Sequence, residues 1–377
     1  MSGSLKKRIY MIAGEASGDL HGSNLIKALL KEDENLSIRC WGGDLMRDAG
    51  GEVVKHIRDL AFMGFLEVLL NIRTILKNMS ACKTDVLEFK PDVLVLIDYP
   101  GFNLRIAEWA YKNGVKVCYY ISPQVWAWKQ SRVHKIKRFV DHMYVILPFE
   151  KAFYEKFNYS VEYVGHPLLD ELKNFQPSED FIRKLNISSD KPVIALLPGS
   201  RRQEVSVKLP IMLEAVKSLT NYRIIVAGST ALEEAFYQTL TGKNTEIYFG
   251  HTYDLLSVAE AALVTSGTAT LETALLRIPE VVCYKGSPIS YHIARRLIKI
   301  RFISLVNLIM DREVVTELIQ SECNAERLRE ELLKVLKGGP NREAMLHAYD
   351  QLHAELGQGG ASDKVARSLL KTLKLSN

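Results

Sequence analysis

Ser266-Gly267-Thr268-Ala269-Thr270-Leu271-Glu272 follows the apolar run Ala261-Ala262-Leu263-Val264 and opens a helical pattern ending near Arg277. Small and hydroxylated residues at a strand-to-helix junction leave backbone N–H groups open and let an anion approach the positive end of the helix dipole, so the stretch reads as an anion cradle. Glu272 lies in the first turns of that helix, where a carboxylate can accept hydrogen bonds from a diol, such as the ribose of a nucleotide whose phosphates rest on the loop. An ordinary helix cap by Ser266 or Thr268 is the structural alternative. A similar loop, Pro198-Gly199-Ser200-Arg201-Arg202, follows the run 193–197, and there Arg201 can fork onto a phosphate with Ser200 in support. A third, Gly14-Glu15-Ala16-Ser17-Gly18-Asp19, follows the run 8–13. Its glycines match neither G-x-G-x-x-G nor G-x-x-x-x-G-K-S/T, while Glu15, Ser17 and Asp19 suit a hydroxyl-rich ligand. Asp98 stands directly after the run 92–97 and before Tyr99-Pro100-Gly101-Phe102-Asn103, at the strand edge where open α/β sheets bind ligands. It is a candidate general base there, with a turn-capping role as the alternative.

The elements that must carry these loops recur along the chain. Runs 92–97 and 115–121 flank a helical pattern at 104–112, which makes one βαβ unit and hence a parallel sheet. Runs 141–147 and 161–164 extend it. Gly165-His166-Pro167 and the polar stretch 171–191 then break the pattern, and the domain boundary is expected there. Runs 193–197, 223–227, 246–249, 261–264 and 280–284 supply a second set of strands, and 311–319, 325–336, 342–356 and 364–373 read as helices. The expected fold is α/β, with two Rossmann-like doubly wound domains facing across a cleft. The domains are expected at 1–167 and 168–345, with C-terminal helices at 346–377 packing back on the first. A nucleotide-sugar donor then belongs to the second domain and an acceptor to the first.

Composition narrows the class. A chain of 377 residues, 47% hydrophobic and 25% charged, is long enough for about two cores. The five cysteines, Cys40, Cys82, Cys118, Cys283 and Cys323, are scattered and never form C-x-x-C, so neither a disulfide framework nor a zinc knuckle is indicated and a reducing cytosol fits. No signal-peptide core follows the basic N-terminal residues, and no run of about 18 apolar residues offers a membrane span. The stretch 61–76 has apolar residues at helical spacing, among them Phe65, Leu66, Leu69 and Ile72, but Val68 and Leu70 widen the stripe beyond one packed face. Contact with lipid and burial on two sides both explain it. Trp126 and Trp128 stand beside Lys129, Arg132 and Lys135, a combination suited to a headgroup region; no nucleic-acid recognition motif is present, and no nucleic-acid partner is expected.

Taken in order, Ala13 to Asp19, Met63-Gly64-Phe65-Leu66-Glu67-Val68-Leu69, Asp98 with Pro100 and Phe102-Asn103, Ser122-Pro123-Gln124-Val125-Trp126-Ala127-Trp128, Val164-Gly165-His166-Pro167, Leu197 to Arg201, Ser266 to Glu272 and Glu317-Leu318-Ile319-Gln320 resemble the lipid-A-disaccharide synthase family. The likeness covers nearly the whole chain, and the Ser-Pro-Gln-Val-Trp-Ala-Trp block is its most specific part. Thr316 and Val306 stand where the family tends to have proline. The resemblance implies a GT-B glycosyltransferase of Gram-negative bacteria that joins UDP-2,3-diacylglucosamine to 2,3-diacylglucosamine 1-phosphate (lipid X) and releases UDP. The product is the β-1,6-linked lipid A disaccharide 1-phosphate, and the site of action is the cytoplasmic surface of the inner membrane.

Inversion at the anomeric carbon needs one base on the acceptor side, with Asp98 first and Glu15 second. Gly14, Ser17, Gly18, Asp19, Asn307 and Gln320 are candidates for the two sugars, and Ser200, Arg201, Ser266, Gly267, Thr268, Ala269, Thr270 and Glu272 for the nucleotide. No Asp-x-Asp motif stands at a strand end, so no metal and no cofactor is expected. A GT-B relative acting on UDP-N-acetylglucosamine and a non-catalytic membrane-binding protein are the competing readings.

Overall fold

The computed structural model describes residues 6–60, 72–185, 191–242, 245–287, 291 and 300–374. The chain forms two compact units, one of Met1–Asp170 with Gln358–Asn377, the other of Glu171–Gly357. The crossings therefore lie at 170/171 and 357/358 rather than at 167/168 and 345/346; the expected second boundary falls inside the helix Arg342–Leu356.

In the first unit, strands β1 (Arg8–Ala13), β2 (Ser37–Gly42), β3 (Glu52–His56), β4 (Val93–Ile97), β5 (Val117–Tyr120), β6 (His142–Val145) and β7 (Glu162–Tyr163) make one parallel sheet in the order β3-β2-β1-β4-β5-β6-β7. Strand order reverses between β1 and β4, which pair from Ile9↔Val93 to Ala13↔Ile97. Both faces are covered, so β1 reads as a continuous apolar run: Ile9, Met11 and Ala13 enter one core and Tyr10 and Ile12 the other. Helix α1 (Ala16–Glu32) and the chain's last helix, Ala361–Lys374, share the first core through Leu25, Ile26 and Leu29 with Val365, Ala366 and Leu369. Helices α2 (Asp44–Asp48), α3 (Ile72–Phe89), α4 (Pro100–Lys112), α5 (Arg132–Phe139) and α6 (Pro148–Glu155) complete this part of the unit. Asp170 fastens the last helix, its carboxylate accepting the Gly360 N–H and, at 3.0 Å, the Ala361 N–H.

After α7 (Pro167–Lys173) and α8 (Glu179–Leu185), the second unit alternates β8 (Val193–Leu197), α9 (Arg202–Val216), β9 (Arg223–Gly228), α10 (Glu234–Thr241), β10 (Glu246–Phe249), α11 (Thr252–Val258), β11 (Ala259–Thr265), α12 (Thr268–Leu275) and β12 (Glu280–Tyr284). Then come α13 (Leu305–Met310), β13 (Thr316–Ile319), α14 (Ala325–Val335) and α15 (Arg342–Leu356). The sheet is parallel in the order β10-β9-β8-β11-β12-β13, reversing between β8 and β11. Residues 311–319, expected to be helical, instead supply edge strand β13, whose Thr316 to Ile319 pair with Val281 to Tyr284. Each unit thus presents one switch point, the place where a doubly wound sheet opens a binding crevice.

Candidate active site

In the first unit the switch point carries two carboxylates. Glu15 follows β1 and is exposed; Asp98 follows β4 and is half-buried. Asp98 and Tyr99 both take left-handed backbone angles, φ 43° and 47°. Such angles cost a non-glycine residue about 1 kcal/mol or more, and the surroundings fix them. The buried Asn103 donates from Nδ2 to the Asp98 carbonyl at 2.8 Å and to the Ile97 carbonyl at 3.2 Å, and the Tyr119 hydroxyl also donates to the Asp98 carbonyl. The Tyr99 ring lies on Gly14 so closely that a Cβ there would run into it. Burial pushes the Asp98 carboxyl up to about 6, the Glu15 charge adds to the rise, and the Tyr99 amide opposes it.

The rest of that loop serves the fold. Asp19 is buried and accepts the N–H groups of Gly43 at 2.6 Å, Met46 at 3.1 Å and Leu45 at 3.2 Å, so both its oxygens anchor the start of α2 instead of meeting a sugar. Gly18 is buried against Ala13 and closes α1 onto β1. Ser17 is exposed.

In the second unit a cavity of about 510 Å³ opens over the ends of β8, β9, β10 and β11, lined among others by Gly199, Ser200, Arg201, Ser266, Gly267, Thr268, Ala269 and Glu272. Gly199 has φ 108°, and Glu204 from α9 occupies the space where a Cβ would stand. Arg201 is largely exposed and lies 3.7 Å from Glu204, which leaves its guanidinium available to an anion. No side chain caps α12; the Thr270 amide donates to the Gly267 carbonyl at 3.2 Å, and the amides of the lining residues Thr268 and Ala269 are left for an anion. The Ser266 hydroxyl is turned away, donating to the Ile303 carbonyl at 3.2 Å. Thr270 is not a cavity residue: it is buried, and its hydroxyl donates to the Gly267 carbonyl at 2.8 Å. Burial pushes the Glu272 carboxyl up to about 7, Glu171 adds to this through its charge, and the Tyr253 hydroxyl opposes it. Tyr253 also donates to Glu171 at 3.2 Å. Ser229, Thr230, Gly250 and Thr252 also line it. Sequence reasoning missed them, although Gly228-Ser229-Thr230 repeats, after β9, the small and hydroxylated pattern of Ser266-Gly267-Thr268.

Residues 9–369 match the family described as lipid-A-disaccharide synthetase. The lipid-A-disaccharide synthase of Syntrophus aciditrophicus (strain SB) is 40% identical over 379 residues, with 98% of this chain and 99% of that protein covered. This chain belongs to the lipid-A-disaccharide synthase family. The synthase of Coxiella burnetii (strain Dugway 5J108-111) is 36% identical, with 96% and 97% covered. Among solved structures, UDP-GlcNAc 2-epimerase from Neisseria meningitidis bound to UDP-GlcNAc superposes with a TM-score of 0.67 at 12% identity, covering 97% of this chain and all (100%) of that one. The calicheamicin glycosyltransferase CalG4 gives 0.61 at 15%, covering 98% and 99%. The likeness to these structures is one of fold, two Rossmann-like domains of the GT-B class. The chain is thus a glycosyltransferase that forms the lipid A disaccharide.

Several residues that the lipid-A-disaccharide synthase resemblance singles out hold the fold. Asn307 is fully buried: Nδ2 donates to the Val315 carbonyl at 2.8 Å and to Glu317 at 2.9 Å, while Oδ1 accepts the amides of Val314 and Val315. It has no group left for a sugar. Glu317, unassigned from sequence, accepts the Ile303 and Ser304 amides, each at 2.9 Å. Gln320, with φ 54°, keeps a buried side-chain nitrogen without a partner among the described residues, as a ligand donor does. Trp126 is buried, its ring edge-on to Phe149 at 5.0 Å, so it does not face lipid; Trp128 is 40% exposed with Lys129 and Arg132 over its ring at 4.4 and 5.2 Å. Lys135 is exposed and 3.7 Å from Glu108. Phe65, Leu66, Val68 and Leu69 lie outside the described residues, as does the side chain of Ile72. Among the described residues no helix is long and apolar enough to cross a membrane.

Proposed function

We propose that the chain joins UDP-2,3-diacylglucosamine to 2,3-diacylglucosamine 1-phosphate, with UDP held by the second unit and the acceptor by the first. The observation that carries this reading is the pair of carboxylates, Glu15 after β1 and Asp98 after β4, brought together at the first unit's switch point, where burial and the Glu15 charge push the Asp98 carboxyl up to about 6. A base must be ionised at working pH yet hold a proton well, and a carboxylate in that range does both better than an ordinary aspartate. Asp98 takes the proton of the acceptor 6-hydroxyl as that oxygen attacks the anomeric carbon, and the bond to UDP breaks on the opposite face. Negative charge gathers on the leaving diphosphate, where Arg201 and the open amides of α12 stabilise it in place of a metal. Glu272 accepts from the ribose hydroxyls and Gln320 donates to the donor sugar. That related folds are solved with UDP-GlcNAc or UDP bound supports a uridine nucleotide in the 510 Å³ cavity. Both substrates carry acyl chains, so the protein works as a peripheral protein on the cytoplasmic surface of the inner membrane.

The test is UDP release from the two diacylated substrates by the parent and by Asp98→Asn, in the presence of a chelator. The parent should turn over without metal, and the variant should bind UDP as before but lose at least about a hundredfold in turnover. Turnover of water-soluble UDP-N-acetylglucosamine in preference to the acylated donor would refute the substrate assignment. A variant within a few-fold of the parent would leave Asp98 a positional role.

A further inference from the structure

The place of the Asp98 carboxylate depends on a turn at the end of β4. Val93, Val95 and Ile97 enter one core of the first unit and Leu94 and Leu96 the other, so a continued strand would send the Asp98 side chain toward the second core, which Phe102 and Ile106 of α4 share. The strand ladder reaches Asp98 itself, whose N–H donates to the Tyr120 carbonyl at 3.0 Å. The left-handed angles of Asp98 and Tyr99 then break the alternation. An aspartate tolerates that conformation better than most residues, but a tyrosine does not, and Tyr99 also precedes Pro100, a position that favours extended backbone. Two fully buried side chains hold the turn, and both do so through the Asp98 carbonyl. Asn103, in the first turn of α4, donates to it from Nδ2 at 2.8 Å, and the same amide group lies 3.2 Å from the Ile97 carbonyl and 3.5 Å from that of Ile12, so it joins the ends of β4 and β1. Tyr119 of β5, level with Leu96, donates its hydroxyl to the same oxygen. Burial pushes that hydroxyl well up, so it keeps its proton and remains a donor. A carbonyl has two lone pairs, and these donors fill both. Rotation toward extended backbone would strand a buried amide and a buried hydroxyl, and that penalty is what holds the turn.

We propose that Asn103 and Tyr119 are positioning residues for glycosyl transfer: by gripping the Asp98 carbonyl they set the left-handed turn that aims the Asp98 carboxylate beside Glu15. Both act through Asp98, whose role as base belongs to the proposed function, and neither touches substrate. The Tyr99 ring, packed on Gly14, passes the same turn to the loop that carries Glu15. Loosening either grip frees the carboxylate to leave its place while the nucleotide cavity of the second unit keeps its lining. Turnover then falls and substrate binding persists, because the base has lost its aim rather than its chemistry.

Position and function are tested separately on the full-length chain. Position is read by carbon NMR of protein labelled at its aspartate carboxyls, with Asp98→Asn to assign the signal. In the parent, Glu15→Gln should lower the Asp98 titration midpoint; in Tyr119→Phe and in Asn103→Ala the same change should lower it by less than about half as much, because Asp98 no longer faces Glu15. Function is read as UDP release from the two diacylated substrates. Tyr119→Phe, which keeps the ring and loses one of the two bonds, should lower kcat about tenfold, and Asn103→Ala about a hundredfold, with KM and UDP affinity within about twofold of the parent. In the Asp98→Asn background Tyr119→Phe should lower kcat no further, as expected of a residue that acts through another. Tyr119→Phe fills nearly the same space as the parent side chain, so it decides the matter even if Asn103→Ala folds poorly. An undiminished effect of Glu15→Gln on the Asp98 midpoint in Tyr119→Phe would overturn the proposal, as would an equal loss of kcat with and without the Asp98 carboxylate. Turnover of Asp98→Asn within a few-fold of the parent would refute Asp98 as base and the positioning role with it, whereas the midpoints alone decide whether the two side chains hold the turn.

Discussion

Asp98 and Glu15 are close enough for one charge to raise the other's proton affinity, and this gives the proposed base a signature in pH. Activity that needs ionised Asp98 should fall as pH drops through about 6. Glu15→Gln removes the like charge, so this limb of the kcat/KM profile should move to lower pH while the plateau persists; loss of the plateau would make Glu15 the base. Glu280, at the start of β12, gives a second test. It is fully buried, neither carboxyl oxygen has a hydrogen-bond partner among the described residues, and burial raises it well above the ordinary 4.5. The folded protein keeps this proton while the unfolded chain releases it. The contribution to stability is therefore fully present below the ordinary value and is lost as pH rises toward the folded one. Glu280→Gln removes the dependence, and its advantage over the parent in chemical denaturation should grow between about pH 5 and pH 8, reaching roughly 1–3 kcal/mol. An advantage that stays constant across that range would show Glu280 to be ionised in the folded state. Asp98 and Glu15 were legible in the sequence because a polar residue directly after an apolar strand has its position set by the strand, and Glu272 because the loop after β11 fixes where the helix that carries it begins. Asp19 and Asn307 have similar chemistry and similar loops, but the amides and carbonyls that occupy them come from residues brought together by the fold, while the Thr270 hydroxyl is taken by the Gly267 carbonyl of its own turn.

At the scale of the element, the Ser122 to Trp128 segment after β5 owes its shape to α6. Glu150, buried in the first turn of α6, accepts the Leu147 N–H at 3.0 Å and the Ile146 N–H at 3.2 Å. Ser122 Oγ lies 2.7 Å from the Tyr154 hydroxyl. Burial pushes Glu150 up to about 7, opposed by the Leu147 and Ile146 amides and then by the Ser122 and Trp126 side chains. Glu150→Ala leaves those amides without an acceptor in a dry site and should cost about 2–3 kcal/mol in urea unfolding. Glu150→Gln, which keeps the shape and one acceptor oxygen, should cost less than half as much; equal losses would mean that packing rather than hydrogen bonding holds the segment. Strands with both faces buried, such as β1, β4, β8 and β11, were legible as apolar runs. β2 and β3 carry Arg39, Glu52, Lys55 and His56 among their apolar residues, and no apolar run marks them. Residues 311–319 read as a helix because their apolar positions admit that period, yet β12 offers an open edge, and pairing there satisfies more backbone groups than an isolated turn of helix would.

For the whole molecule, the question is how a protein with a net charge of +5 would meet the acylated substrates proposed for it. The described residues offer two unlike features. On α3, Leu76 and Leu87 are 57% and 48% exposed. Next to α5, the exposed Trp128 stands beneath Lys129 and Arg132, with Lys135 farther along the helix. An apolar contact is indifferent to headgroup charge, whereas each cation near an anionic surface is worth up to about 1 kcal/mol and is screened by salt. Binding to vesicles should therefore separate into two parts. Leu76→Ser should weaken flotation with neutral and anionic vesicles alike. Arg132→Gln combined with Lys135→Gln should weaken it only with anionic lipid, and that difference should fade as salt rises toward about 1 M, where the Debye length is near 3 Å. Leu76 is exposed, so its replacement should leave the thermal midpoint within about a degree of the parent, consistent with the small effect of most surface substitutions. If the charge variant floats like the parent on anionic vesicles at low salt, the cations of α5 do not face the membrane, and the Trp128 patch must be assigned to another partner.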